Sequence, residues 1–119
     1  MTTSVFLNND RTMPLLGLGL YKITDDAEAE TAITAAVQNG YRLFDTASAY
    51  KNEEFVGHAL AKCGIPRKDL FVTTKIWNNA QRLGDVEGSL QRSLDRLRLD
   101  YIDLYLIQWP VPGCFLNTW

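Results

Sequence analysis

Polar residues stand where three apolar runs end. Asp45 closes the run from Tyr41, with Tyr50 just beyond it, Lys75 closes the run from Leu70, and Gln108 follows the run that ends at Ile107. A tyrosine with its ordinary pKa of about 10 is a poor proton donor near neutrality. A lysine ammonium beside a phenol favours the phenolate, and an aspartate paired with that lysine keeps it charged and fixed when buried. A further polar side chain at the next strand end can donate a hydrogen bond to a carbonyl oxygen. Together these groups suit carbonyl reduction, which needs hydride at carbon, a proton at oxygen, and an anchored oxygen between them.

Such residues converge only if the intervening segments fold in a fixed alternation. Val5 to Leu7, the polar Asn8-Asn9-Asp10, and Thr12-Met13 read as a small hairpin. Leu15 to Leu20 is a short strand punctuated by Gly17 and Gly19, suiting close approach of something else to its end. Asp25 to Asn39 is a helix: Asp25 and Glu28 resemble a capping box, Ala29, Ile33, Ala36 and Val37 form one stripe, and Gly40 stops it. Tyr41 to Asp45 is the next strand. A second helix runs from about Asn52 to Cys63, with Phe55, Val56, Ala59, Leu60 and Cys63 on one side. Leu70 to Lys75 is a strand. A third helix runs from about Arg82 to Leu97, with Val86, Leu90, Leu94 and Leu97 at helical spacing. Tyr101 to Ile107, nearly all apolar, is expected to be a parallel strand buried on both faces.

The order β-α-β-α-β-α-β implies βαβ units and a parallel sheet. That order alone fits a barrel or an open doubly wound sheet. Gly17-Leu18-Gly19 lacks the third glycine of a dinucleotide fingerprint, which leans toward a barrel. In a parallel barrel the C-terminal strand ends form the catalytic face, where Asp45, Tyr50, Lys75 and Gln108 all fall.

At 119 residues the chain suits one modest domain, and 46% hydrophobic with 22% charged residues is the composition of an ordinary globular protein. A net charge of −2 without a dense Lys/Arg run argues against a nucleic-acid partner. No apolar stretch approaches the ~20 residues that cross a bilayer, and the N-terminus lacks the pattern of a signal peptide, so a cytoplasmic protein without a membrane partner is expected. Cys63 and Cys114 read as free thiols. His58, the single histidine, reads as a helix-surface residue, and no metal site is expected.

Longer segments carry a family likeness. GYRLFDTASAYKNEEFVGHAL resembles the aldo-keto reductase signature around its catalytic Asp and Tyr. FVTTKIW resembles the strand that delivers that family's catalytic Lys, and LDYIDLYLIQWPVP the strand ending in its His-Trp-Pro. The similarity runs from about Val5 to Pro112, is strongest toward the prostaglandin F synthase and 2,5-diketo-D-gluconate reductase-like branch, and makes residues 1–119 a partial domain. The resemblance implies an α/β fold: the N-terminal half of a (β/α)8 TIM barrel, with a hairpin plugging its bottom, truncated after the fourth strand. It also implies NADPH or NADH as cofactor and a small-molecule aldehyde or ketone as substrate. Tyr50 then matches the general acid, Lys75 its activator, and Asp45 the residue that holds Lys75. Asp45 and the backbone around Leu20 and Tyr21 match positions near the nicotinamide ribose. Tyr21, Trp77 and Trp109 match positions that line the substrate pocket.

The chain departs from the family pattern in two ways. Gln108 stands where the family has the fourth catalytic residue, a histidine. Its amide can donate to a carbonyl oxygen but cannot titrate. A (β/α)8 barrel normally takes about 250 residues, and the family places most of its cofactor contacts in the later half, so these 119 residues alone are expected to hold cofactor weakly. The first and fourth strands would have open edges. Either the chain is a fragment or it pairs with another chain, self-association being one way to cover them; a non-catalytic binding or regulatory protein is the alternative reading.

Overall fold

The computed structural model describes residues 4–119. A two-stranded antiparallel hairpin comes first, β1 (Ser4–Phe6) with β2 (Thr12–Pro14), Val5 facing Met13. A four-stranded sheet follows: β3 (Gly17–Gly19), β4 (Leu43–Asp45), β5 (Phe71–Ile76) and β6 (Leu104–Ile107). Its strands are all parallel and lie side by side in chain order. An open doubly wound sheet reverses its strand order at a switch point; this sheet does not, and the barrel expectation stands.

Helix α1 (Asp26–Gln38) joins β3 to β4. Asp25 caps it by accepting the Glu28 amide at 2.8 Å. The Glu28 carboxylate does not return to Asp25, as a capping box would have it; it accepts from the Thr24 amide at 2.9 Å, one residue earlier. Gly40, at φ +86°, turns the chain out of the helix in a conformation that only glycine adopts cheaply. Helix α2 (Glu53–Lys62) joins β4 to β5.

Between β5 and β6 the structure departs from the expected single helix. α3 (Asn78–Leu83) and α4 (Val86–Leu97) are separate, and Arg82 belongs to the first. Gly84, at φ +67°, breaks them apart, so the helix expected from about Arg82 begins at Val86. The inner side of α4 is Ser89, Ser93 and Leu97, while Leu90 and Leu94 are only half-buried. Small residues win that side because α4 lies against α2. A short α5 (Phe115–Thr118) ends the chain.

The core lies between the sheet and its helices. Phe44 and Val72 point from neighbouring strands into a cluster with Ala29, Ile33 and Ala36 of α1, Val56, Ala59 and Leu60 of α2, and Leu97 of α4. Strand side chains alternate in direction, so Asp45 and Lys75 share the opposite face. β6 was expected to be buried on both faces but is half-buried throughout, because it is the sheet's edge. Cys63 and Cys114 are free thiols. No helix among the described residues is long and apolar enough to cross a membrane.

Two consequences are testable. A Cβ on Gly57 would collide with the backbone of Leu97. Backbone cannot yield as a flexible side chain can, so overpacking of up to ~3 kcal/mol outweighs the ~1 kcal/mol that alanine gains in a helix. Gly57→Ala should lower stability by about 1–2 kcal/mol in urea denaturation. Separately, burial raises the Tyr105 phenol above its ordinary pKa of 10, partly offset by its hydrogen bond to Ser89. A raised folded-state pKa means that this contribution is complete below pH ~10 and is lost as pH rises through the folded value. Tyr105→Phe should flatten the alkaline decline in stability, measured by denaturation between pH 9 and 11.

Candidate active site

The C-terminal strand ends bring the polar residues together on the face away from the helices. Asp45 lies opposite Thr73 in the β4–β5 register, and Lys75 is two residues further up on that same face. The Lys75 side chain spans this offset: Nζ donates to both Asp45 oxygens at 2.7 Å and to the Thr46 carbonyl at 3.0 Å. Lys75 retains 13% of its side-chain exposure and Asp45 31%. The ammonium is thus largely desolvated and fully supplied with acceptors, as a buried cation requires. Alternation along β6 continues through Leu104 and Leu106 to Gln108, and the Gln108 amide is tied to the Ile76 carbonyl at 3.2 Å.

Tyr50 ends a 3-10 turn over Ser48–Tyr50. The Ser48 hydroxyl anchors that turn to β5 by donating to the Lys75 carbonyl at 2.9 Å. The Lys75 ammonium lies 5.2 Å from the Tyr50 ring centroid, and the Tyr21 ring stacks on Tyr50 at 4.9 Å, tilted by 51°. One groove is lined by Tyr21, Tyr50, Trp77, Gln108 and Trp109. Residues of the helices, among them Phe55, Asn79 and Arg92, line its other side, and neither Lys75 nor Asp45 lines it.

Leu20 is 1% exposed, and both its backbone polar groups are engaged within the chain. Its amide donates to the Asp45 carbonyl at 2.9 Å, and its carbonyl accepts from the Asn52 side chain at 2.7 Å. The accessible part of that loop is Tyr21. His58 lies away from the groove, with Nδ1 2.9 Å from Asp26 across α1 and α2.

Sequence reasoning missed Asn52 and Glu53, both buried at the start of α2. The Glu53 carboxylate accepts from Thr74 at 2.6 Å, Ser93 at 3.3 Å and Arg96 Nε at 2.7 Å. Neighbouring residues of β5 therefore feed two networks, Thr74 toward the helices and Lys75 toward the strand ends. The available signal was slight: an Asn-Glu pair at a helix start, followed by a third polar residue, Glu54. Gln81, also missed, is 3% exposed and donates to the Trp109 carbonyl at 2.9 Å, fixing the chain just past Gln108. Gln108 Oε1 is buried without a hydrogen-bond partner among the described residues.

A sequentially ordered parallel sheet, helices over one face and a polar cluster at the C-terminal strand ends define part of a barrel-type α/β domain. Comparison with known proteins makes the assignment specific: the chain belongs to the aldo/keto reductase family, whose model matches residues 15–114. It is 50% identical over 118 residues to an aldo-keto reductase of Mycolicibacterium vanbaalenii, covering 98% of this chain and 42% of that protein. It is 45% identical over 116 residues to the glyoxal reductase of Bacillus subtilis, again covering 98% of this chain and 42% of that protein. The crystal structure of an aldo/keto reductase from Brucella melitensis superposes with a TM-score of 0.89 at 45% identity, over 98% of this chain and 46% of that one. The chain thus spans rather under half the length of these relatives, and its fold is the N-terminal portion of their (β/α)8 barrel.

Removing one partner of a buried ion pair strands the other. Glu53→Ala should cost about 3 kcal/mol in chemical denaturation, at the low end of the usual range because Arg96 keeps 35% of its side-chain exposure and can turn to water.

Proposed function

We propose that this protein reduces an aldehyde or ketone to an alcohol with NADPH or NADH, and that Tyr50 is the general acid. The observation that carries the reading is the bidentate Lys75–Asp45 pair set beside the Tyr50 ring. A cation held there stabilises the phenolate that remains after Tyr50 gives up its proton. Asp45 fixes the position of that cation and prevents it from swinging into solvent.

The residues present fit the nicotinamide end of such a cofactor. Asp45 has accessible surface beyond its bonds to Lys75, so its carboxylate can also accept from a ribose hydroxyl. The cofactor, when bound, supplies hydride. Gln108, with Oε1 turned into the chain, offers its Nε2 to orient a substrate oxygen. Tyr21, Trp77 and Trp109 offer the groove exposed aromatic surface against which a substrate can pack. The carbonyl substrate is small, in keeping with the name of the Bacillus subtilis relative, a glyoxal reductase. Bare parallel edges are uncommon, so the reading includes further strands against β3 and β6, from a second copy or from additional length of the protein.

A second reading has its own support: Gln108 cannot carry a proton as histidine does, and a binding or regulatory protein would not need it to. The protein is to be assayed for aldehyde-dependent NADPH oxidation, with glyoxal as the first substrate. Turnover that Tyr50→Phe lowers by about 10²–10⁴-fold, with unchanged circular dichroism, is the expected result. Undiminished turnover in that variant would remove Tyr50 from the acid's role. NADPH binding without turnover of any aldehyde would favour the second reading.

A further inference from the structure

We propose that Asn52 is a positioning residue that locks the loop carrying Tyr21 to the strand end carrying Asp45. The inference rests on the reductase reading only for its catalytic meaning; the geometry stands by itself. Asn52 is 1% exposed. Its Nδ2 donates to the carbonyls of Leu20 at 2.7 Å and Ile23 at 3.3 Å, which flank Tyr21. Its Oδ1 accepts from the Thr46 hydroxyl at 2.8 Å. Thr46 adjoins Asp45, and its carbonyl accepts from Lys75.

Asparagine at a helix start normally spends its side chain on the free amides of the first turn. Asn52 occupies that place before α2, yet its side chain makes no capping bond. Those amides go without it, and both ends of the carboxamide are used across the chain instead. A carboxamide suits this task because it presents two donors and an acceptor on one short stem. Lys51, at φ +56°, takes a left-handed conformation between Tyr50 and Asn52. Such a backbone is costly for a residue with a Cβ and persists only where its surroundings demand it. It carries the chain directly from Tyr50 into the buried Asn52. One side chain therefore joins the three segments that carry Tyr21, Asp45 and Tyr50, and the Tyr21–Tyr50 stack and the Lys75–Asp45 pair have one arrangement between them.

The two arms can be cut separately. Asn52→Asp keeps the size and the acceptor for Thr46 but removes the donors to Leu20 and Ile23. Thr46→Val keeps those donors' targets and removes the other arm. The readouts are the nuclear Overhauser effect between the Tyr21 and Tyr50 rings, hydrogen exchange of backbone amides, and NADPH titration. Asn52→Asp should abolish the ring-to-ring signal and speed exchange of the Leu20 and Ile23 amides by at least about tenfold, with Kd for NADPH rising similarly. Thr46→Val should speed exchange at position 46 and, by freeing Asn52 from the strand end, at the Leu20 and Ile23 amides, with a smaller loss of the ring signal than in Asn52→Asp. A ring signal and loop exchange that stay as in the wild type in Asn52→Asp would overturn the proposal, even if stability fell. If Asn52→Asp does not fold, Thr46→Val decides: exchange at position 46 and at the Leu20 and Ile23 amides that stays as in the wild type would overturn the proposal, and faster exchange at them would support it. None of the exchange or ring measurements needs turnover, so their outcome is separate from the fate of the reductase reading.

Discussion

The Lys75 ammonium needs three acceptors, and the structure around the strand ends is arranged to supply them. A cation this far from water is tolerated only when its lost hydration is replaced. Asp45 provides two oxygens and the Thr46 carbonyl a third. This sets the register of β4 against β5, because a slip of one residue would send either side chain to the helix face. It also sets the handing of the faces: Phe44 and Val72 must go to the core for Asp45 and Lys75 to stay out of it. The hydrophobic alternation and the ion pair therefore specify the same register.

The helix face of β5 is polar as well, at Thr74. Its hydroxyl reaches the buried Glu53 carboxylate, which Arg96 and Ser93 complete. An apolar replacement of such a network can be as stable as the network itself, so its presence argues for specificity of arrangement. It pins α4 to α2 and both to the strand that delivers Lys75. Gly57 allows the same two helices to approach until the Leu97 backbone occupies the space of a side chain. Close helix packing on one face and a positioned cation on the other are joined through consecutive residues of β5.

Much of this was legible from residue pattern. Asp45, Lys75 and Gln108 stood at the ends of apolar runs, with Tyr50 just beyond the first, and parallel strands bring such ends to one side. The helix from Asp25 was marked at both ends by Asp25 and Gly40. What pattern could not give was the use of buried polar groups. Asn52 and Glu53 at the start of α2 and Gln81 inside α3 look like surface residues, because hydropathy counts them as polar wherever their partners lie. Their partners are 21 to 43 residues away for Glu53, and no local signal encodes that distance. The break at Gly84 was hidden for a related reason. A glycine inside a helical pattern is tolerated often enough that only its positive φ identifies it as a stop. β6 was misread because an apolar run records the burial of a complete sheet, and β6 is an edge among the described strands.

Gln108 is the place where pattern and geometry have to be reconciled. A buried acceptor without a partner costs about 1–3 kcal/mol, and Gln108 Oε1 is such an acceptor. Histidine at that position would present ring nitrogens whose protonation follows pH; the carboxamide presents a neutral donor at every pH. Gln81 holds the Trp109 carbonyl and the Ile76 carbonyl holds the Gln108 amide, so the backbone on both sides of the side chain is fixed. The amide can then turn only about its own side-chain bonds, and with Oε1 inward its Nε2 is the end left to meet a ligand. A fixed neutral donor orients an oxygen without contributing a proton. In the reduction proposed for this site, the proton therefore comes from Tyr50, beside the Lys75 cation, and not from position 108.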